Sequence, residues 1–186
     1  MNQGLIPHRY ARALYKVALE RNCTKELYAI MKTLAKSFAD NPELGRVMEN
    51  PFVSAAEKKS LLLTASGLEK GAGDTAAATF GDFTKLLDRN RRLDFMRGIA
   101  LAYIGIYRME CNIATVTVTS ASPLGDDATR RLKEIIHTHS PEATIEYSEK
   151  VDPSLIGGFT IAIDNQRLDA SVKNELKQLR LKLLSH

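Results

Sequence analysis

The chain has 186 residues, 44% of them hydrophobic and 26% charged, which is the balance of a globular protein with one large domain or two small ones, not of a disordered chain. Its only cysteines, Cys23 and Cys111, lie far apart, which excludes a disulfide scaffold and a zinc ribbon; no apolar run approaches the roughly 18–20 residues that span a membrane. The net charge of +4 is uneven: residues 1–110 carry 17 basic and 12 acidic residues (+5) and residues 111–186 carry 9 and 10 (−1), so the first part raises the question of an acidic partner.

The first 110 residues read as helix after helix. Pro7 suits a first helical turn, and nothing breaks the pattern until about Arg21. Leu27, Ile30, Met31, Leu34 and Phe38 recur at spacings of three and four, predicting a helix over about 25–40 that Asn41-Pro42 stops. A short helix follows over about 43–48, ended by Asn50-Pro51. Ser54 with Glu57 forms a capping box that opens a helix to about Ala65. Gly67 to Asp74 reads as a loop. Phe80, Phe83, Leu86 and Leu87 mark a fifth helix over about 75–88, and Arg89-Asn90-Arg91-Arg92 a polar corner. The sixth runs from about Leu93 towards Glu110, with Met96, Ile99, Tyr103, Ile106 and Tyr107 along one stripe. Six helices in this span predict a bundle.

The character changes near Asn112. Ala114, Val116 and Val118 alternate with threonines, the period of a half-buried strand. Ser122-Pro123-Leu124-Gly125 reads as a turn. Asp126 or Asp127 can cap a helix with Ala128, Leu132, Ile135 and Ile136 on one face, ended by Pro141. Ile145 and Tyr147 mark a second strand over about 143–149, and Phe159, Ile161 and Ile163 a third. Asp164 to Arg167 reads as a turn, with Leu168 pairing back briefly. Val172, Leu176, Leu179 and Leu183 step along a last helix that Ser171 can cap. The expected fold is therefore α+β and mostly α: a six-helix bundle over residues 1–110, then a small β-α-β-β domain with a C-terminal helix over residues 111–186.

Motifs for chemistry are sparse. Gly71, Gly73 and Ala76 match G-x-G-x-x-A, but the preceding segment opens with a capping box, whereas a dinucleotide loop needs a strand there; a loop between helices fits better than a nucleotide-dependent enzyme. Gly157-Gly158 at a strand start suggests a bulge or close backbone approach. His137 and His139 lack an evident third ligand, and His8 and His186 lack an evident relay partner. Cys23 and Cys111 read as small apolar residues. No catalytic residue, metal or cofactor is expected. Arg89, Arg91, Arg92 and Arg97 make the alternative reading, a basic helical nucleic-acid-binding module; such a surface usually adds stacking aromatics or a recognition helix, Phe95 is close but at helical spacing reads as core, and a charged corner between helices is preferred.

The first helix is the most informative element. At roughly 100° per residue, Arg9, Arg12, Lys16 and Glu20 form one narrow polar stripe. Ile6, Tyr10, Ala13, Leu14 and Val17 flank it on one side, and Ala11, Tyr15, Ala18 and Leu19 on the other. A surface helix shows an apolar arc little wider than about 100°. This one must be covered from two directions, either at the centre of the bundle or by a partner helix laid in a groove.

Three stretches carry a family resemblance. Arg9-Tyr10-Ala11-Arg12-Ala13-Leu14-Tyr15 resembles the first-helix motif of the ATP synthase delta subunits, bacterial relatives of the mitochondrial oligomycin-sensitivity-conferring protein. Leu86-Leu87-Asp88-Arg89-Asn90-Arg91-Arg92-Leu93 is similar to their interhelix signature, whose common form has a glycine near Arg91. Asp152-Pro153-Ser154-Leu155-Ile156-Gly157-Gly158-Phe159 followed by Leu168-Asp169-Ala170-Ser171-Val172, Leu176 and Leu179 resembles their closing pattern. The resemblance runs the length of the chain. It implies a non-catalytic stator subunit of a proton-translocating ATP synthase, on the cytoplasmic face of the bacterial inner membrane and touching the membrane only through the complex. The helical domain would bind the N-terminal segment of an alpha subunit between its first and fifth helices, through Tyr10, Ala13, Leu14, Val17, Phe83 and Leu86, with Phe83, Leu86 and Leu87 of the fifth helix turned outward or, equally, forming bundle core. The second domain would hold the b subunits of the peripheral stalk, with Val172, Leu176, Leu179 and Leu183 as the contact. No cofactor and no nucleic acid are implied.

Overall fold

The computed structural model describes residues 4–68, 75–123, 125, 129–130, 144–163 and 166–184. They fall into two compact units, Met1–Met109 and Glu110–His186. Gly71 and Gly73, Leu124, Asp126 to Ala128, residues 131–143 with Leu132, Ile135, Ile136, His137, His139 and Pro141, the Asp164-Asn165 pair and His186 lie outside the described residues.

Among its described residues the first unit is helical: α1 (Leu5–Glu20), α2 (Thr24–Asp40), α3 (Pro42–Glu49), α4 (Ala55–Ala65), α5 (Thr75–Arg89) and α6 (Met96–Glu110). The expected capping box opens α4. Ser54 Oγ accepts from the Glu57 amide at 3.2 Å and Glu57 Oε2 accepts from the Ser54 amide at 3.1 Å, which satisfies two amides that a helix start leaves unpaired. The sixth helix starts later than its sequence pattern suggests. Leu93–Phe95 forms a single 3-10 turn before α6, with Leu93 buried beneath it. Leu27, Met31 and Leu34 of α2, Phe80 and Leu87 of α5, and Met96, Ile99 and Tyr103 of α6 are fully buried and make up the core. Tyr28 stacks on Tyr107 with ring centroids 4.3 Å apart, a contact that adds to plain area burial.

Three helices end in the same way. At α1 the Cys23 amide donates to Ala18 O and the Asn22 amide to Leu19 O; at α4 Leu68 donates to Leu63 O and Gly67 to Thr64 O; at α5 Arg92 donates to Leu87 O and Arg91 to Asp88 O. These paired bonds are Schellman caps, which need one residue in the left-handed region. Asn22 (φ 52), Gly67 (φ 75) and Arg91 (φ 54) occupy that position.

The second unit is a four-stranded sheet of order β2-β1-β3-β4, built from β1 (Ile113–Ser120), β2 (Thr144–Val151), β3 (Gly158–Ile163) and β4 (Gln166–Ser171). β1 runs parallel to β2 and antiparallel to β3, and β3 antiparallel to β4. Parallel neighbours cannot be joined by a tight hairpin. Val116, Val118 and Ile161 are the centre of this core, with Ile145, Tyr147, Phe159 and Ile163 against them. The expected α+β, mostly α architecture is what forms. One element is longer than anticipated: β4 is a full strand, in register from Ile163↔Gln166 to Gly158↔Ser171. Arg167 to Ala170 are exposed, so the strand is held by its backbone ladder, and Leu168 and Ala170 alone give only a short alternating signal. The close approach expected at Gly157-Gly158 is present. A Cβ on Gly158 (φ +73) would lie 2.2 Å from Ala170 O, so only glycine fits. The chain closes with helix α7 (Val172–Leu184), capped by Ser171, whose Oγ accepts from the Asn174 amide at 3.2 Å.

Candidate functional site

α1 presents two apolar stripes. Pro7, Ala11, Leu14 and Ala18 are buried in the bundle. Ile6, Tyr10, Ala13 and Val17, one position round the helix, face a groove beside α5. The groove has two adjoining concavities that share Ala13 and Leu86. One, of about 230 Å3, is lined by Ala13, Leu14, Val17, Arg21, Thr79, Asp82, Phe83 and Leu86. The other, of about 430 Å3, is lined by Ile6, Arg9, Tyr10, Ala13, Leu86 and Arg92. All six residues singled out in sequence therefore meet along one groove. Their burial differs. Leu14 (3% exposed) and Phe83 (6%) are floor and are shared with the core, whereas Val17 (37%) and Leu86 (47%) stand in solvent as walls. Tyr10 is half-buried, its ring edge-on to Phe83 at 6.4 Å, and its hydroxyl accepts from Asn90 Nδ2 at 3.2 Å. The opposite arc of α1 splits: Ala11 and Ala18 are core, Tyr15 packs 6.0 Å from the Tyr103 ring, and Leu19 is exposed.

Charged residues close both ends of the groove. At one, Arg21 Nη1 donates to Thr79 Oγ1 at 3.0 Å and to Asp82 Oδ2 at 3.3 Å. The Arg21 hydrogen bond, helped by Lys85, holds the Asp82 carboxyl below the usual carboxylate range. At the other end stand Arg9 and Arg92. The cap of α5 delivers Arg92 there, with its guanidinium 5.9 Å from the Phe95 ring. Sequence reasoning passed over Arg21, Thr79 and Asp82 because polar residues on a helix surface resemble a solvated face. Continuing each stripe by three or four residues, from Val17 to Arg21 and from Leu86 back to Asp82 and Thr79, reaches them. The arginine corner forms as expected at the end of α5, where cations meet the negative pole of a helix. An apolar floor, standing apolar walls and charged ends suit the face of a partner helix. Among the described residues no group of three His, Cys, Asp or Glu side chains could hold a metal ion, and no helix is long and apolar enough to cross a membrane.

In the second unit, α7 contacts β4 and the 3-10 turn Pro153–Leu155. The Val172 amide donates to Gly157 O at 3.0 Å, which seats the first turn. Beyond it Leu176, Leu179 and Leu183 are exposed, as are Leu181 and Leu184. Val172, Leu176 and Leu179 line an open concavity of about 450 Å3 with Asn174, Glu175, Gln178 and Lys182; Leu183 lies beyond it. The helix carries Lys173, Lys177, Arg180 and Lys182 against Glu175. It is a basic helix with an uncovered leucine stripe.

Three comparisons with known proteins bear on this geometry. The family model described as ATP synthase delta (OSCP) subunit matches residues 6–183. The chain is 36% identical to the ATP synthase subunit delta of Parabacteroides distasonis, over 100% of this chain and 99% of the relative. It is 31% identical to that of Phocaeicola vulgatus, over 98% and 95%. Its fold is similar to that of a chain in the cryo-EM structure of the Toxoplasma gondii mitochondrial ATP synthase hexamer, with a TM-score of 0.70 and 20% identity over 99% of this chain and 98% of that one.

Proposed function

The chain belongs to the ATP synthase delta (OSCP) subunit family, and we propose that it is the stator link which fastens the catalytic head of a bacterial proton-translocating ATP synthase to the peripheral stalk. It is a structural subunit, not a catalyst. The α1–α5 groove receives the N-terminal helical segment of an alpha subunit, and α7 contributes to the contact with the b subunits. The site of action is the cytoplasmic face of the inner membrane, reached through the complex. The observation that carries this reading is the exposure of Val17 and Leu86 beside buried Leu14 and Phe83: an apolar groove left open on the bundle.

A joint that resists torque needs tight, slowly dissociating contacts and no reactive group. Apolar burial supplies about 25 cal/mol per Å2, and a helix laid in a groove concentrates it on few residues. Leu86→Asp places a charge on the wall without touching the core. Titration with a peptide of the alpha N-terminal segment is expected to show at least a tenfold loss of affinity, about 1.4 kcal/mol, with helicity retained by circular dichroism. Undiminished affinity in a folded variant refutes the groove assignment.

A further inference from the structure

The groove is electrically lopsided. At the Thr79 end its cation is spoken for: Arg21 pairs with Asp82, which also meets Lys85 at 3.4 Å. At the other end Arg9 and Arg92 line one concavity with Ile6, Tyr10, Ala13 and Leu86, and among the described residues neither faces a carboxylate within ion-pairing distance. The first turn of α1, which opens beside this end, has no acidic residue to offset its partial positive charge. Two guanidinium groups and an uncompensated helix start thus converge at one end of an apolar groove.

We propose that the occupant of the groove is an amphipathic helix with an acidic side chain seated at the Arg9–Arg92 end, and that this charge contact fixes the register and direction in which the helix lies. The inference rests on the stator reading of the groove and adds the chemistry that the partner must bring. Apolar walls bind a helix in either direction and at several registers. Two arginines with no carboxylate partner at one end, opposite an end whose lining arginine already pairs with Asp82, admit one of them preferentially. A basic segment is rejected there by like charge.

The test uses the full chain and two labelled peptides, the alpha N-terminal segment and the same peptide with every Asp and Glu changed to Asn and Gln, followed by fluorescence anisotropy at low and high salt. Wild-type chain is expected to bind the neutralised peptide about tenfold more weakly. The Arg9→Gln/Arg92→Gln variant is expected to bind both peptides alike, with little salt dependence, and Arg9→Lys/Arg92→Lys to recover part of the discrimination. Equal binding of both peptides by the wild type, or undiminished discrimination by the glutamine variant, overturns the inference. Leu86→Asp separates the two levels. Loss of both peptides by Leu86→Asp, with the glutamine variant behaving as wild type, leaves the groove standing and removes the charge contact; unchanged binding by folded Leu86→Asp removes the groove and the inference with it.

Discussion

Arg91 closes α5 in a backbone conformation that suits glycine. Its φ of 54 is the left-handed cap position, filled by Gly67 in the equivalent cap of α4 and by Asn22 in that of α1. The left-handed region costs a residue with a Cβ about 1 kcal/mol, and glycine escapes that cost at the expense of some unfolded-state entropy. Arg91→Gly is therefore expected to stabilise the bundle by roughly 0.5 kcal/mol, seen as a small rise in thermal midpoint, with peptide binding unchanged because Arg92 keeps its place. A fall in the midpoint contradicts the cap assignment. Arg91 is thus a position where a glycine would relieve backbone strain. Asp82 gives a pH signature. Its carboxyl titrates below the usual range because Arg21, and then Lys85, hydrogen-bond the charged form. A depressed folded-state pKa adds stability above the pKa of the unfolded carboxyl, and that stability is lost as pH falls through the folded value. Asp82→Asn is expected to be less stable than wild type near neutrality, and the gap to close in acid; a gap that widens in acid is the contrary result.

Adjacent residues of one element separate packing from docking. Leu87 of α5, expected to turn outward with Leu86, is instead fully buried, while Leu86 stands in the groove. Leu87→Ala is expected to cost about 2–5 kcal/mol in chemical denaturation, whereas Leu86→Ala is expected to stay within about 0.5 kcal/mol of wild type and to weaken peptide binding. In α7, Leu179→Asp is expected to leave the denaturation midpoint nearly unchanged, since the side chain is exposed, and to lower capture by the b subunits; full capture removes α7 from the stalk contact. The helices were legible because three- and four-residue apolar spacing is a strong local signal, and β1 because valine and threonine alternate strictly. β4 was not, because an edge strand with exposed side chains from Arg167 to Ala170 leaves only a short alternation. On α1 the width of the apolar arc was readable, but which stripe is core and which is groove depends on where α5 lies. Leu14 carries the lesson: it faces both, and spacing cannot assign it.

At the scale of the whole chain, the charge split of +5 and −1 separates two modules of different construction. In the first, Arg91 and Arg92 lie at the capped end of α5, Arg9 joins Arg92 at one end of the groove, and Arg21 pairs with Asp82 at the other. In the second, among the described residues, charged side chains lie on the small sheet and on the basic helix that follows it. A stator link needs each module to hold its own partner, so damage to one is expected to leave the other's binding intact. The most direct measurement is a bridging assay. Immobilised soluble b-subunit segments are mixed with the catalytic head and with wild-type, Leu86→Asp or Leu179→Asp chain, and the retained head and chain are quantified. The account predicts retention of the head by the wild type only. The Leu86→Asp chain should stay on the stalk segments without the head, and the Leu179→Asp chain should leave the stalk segments while still binding the head in solution. Head retention at the wild-type level with either folded variant would contradict it.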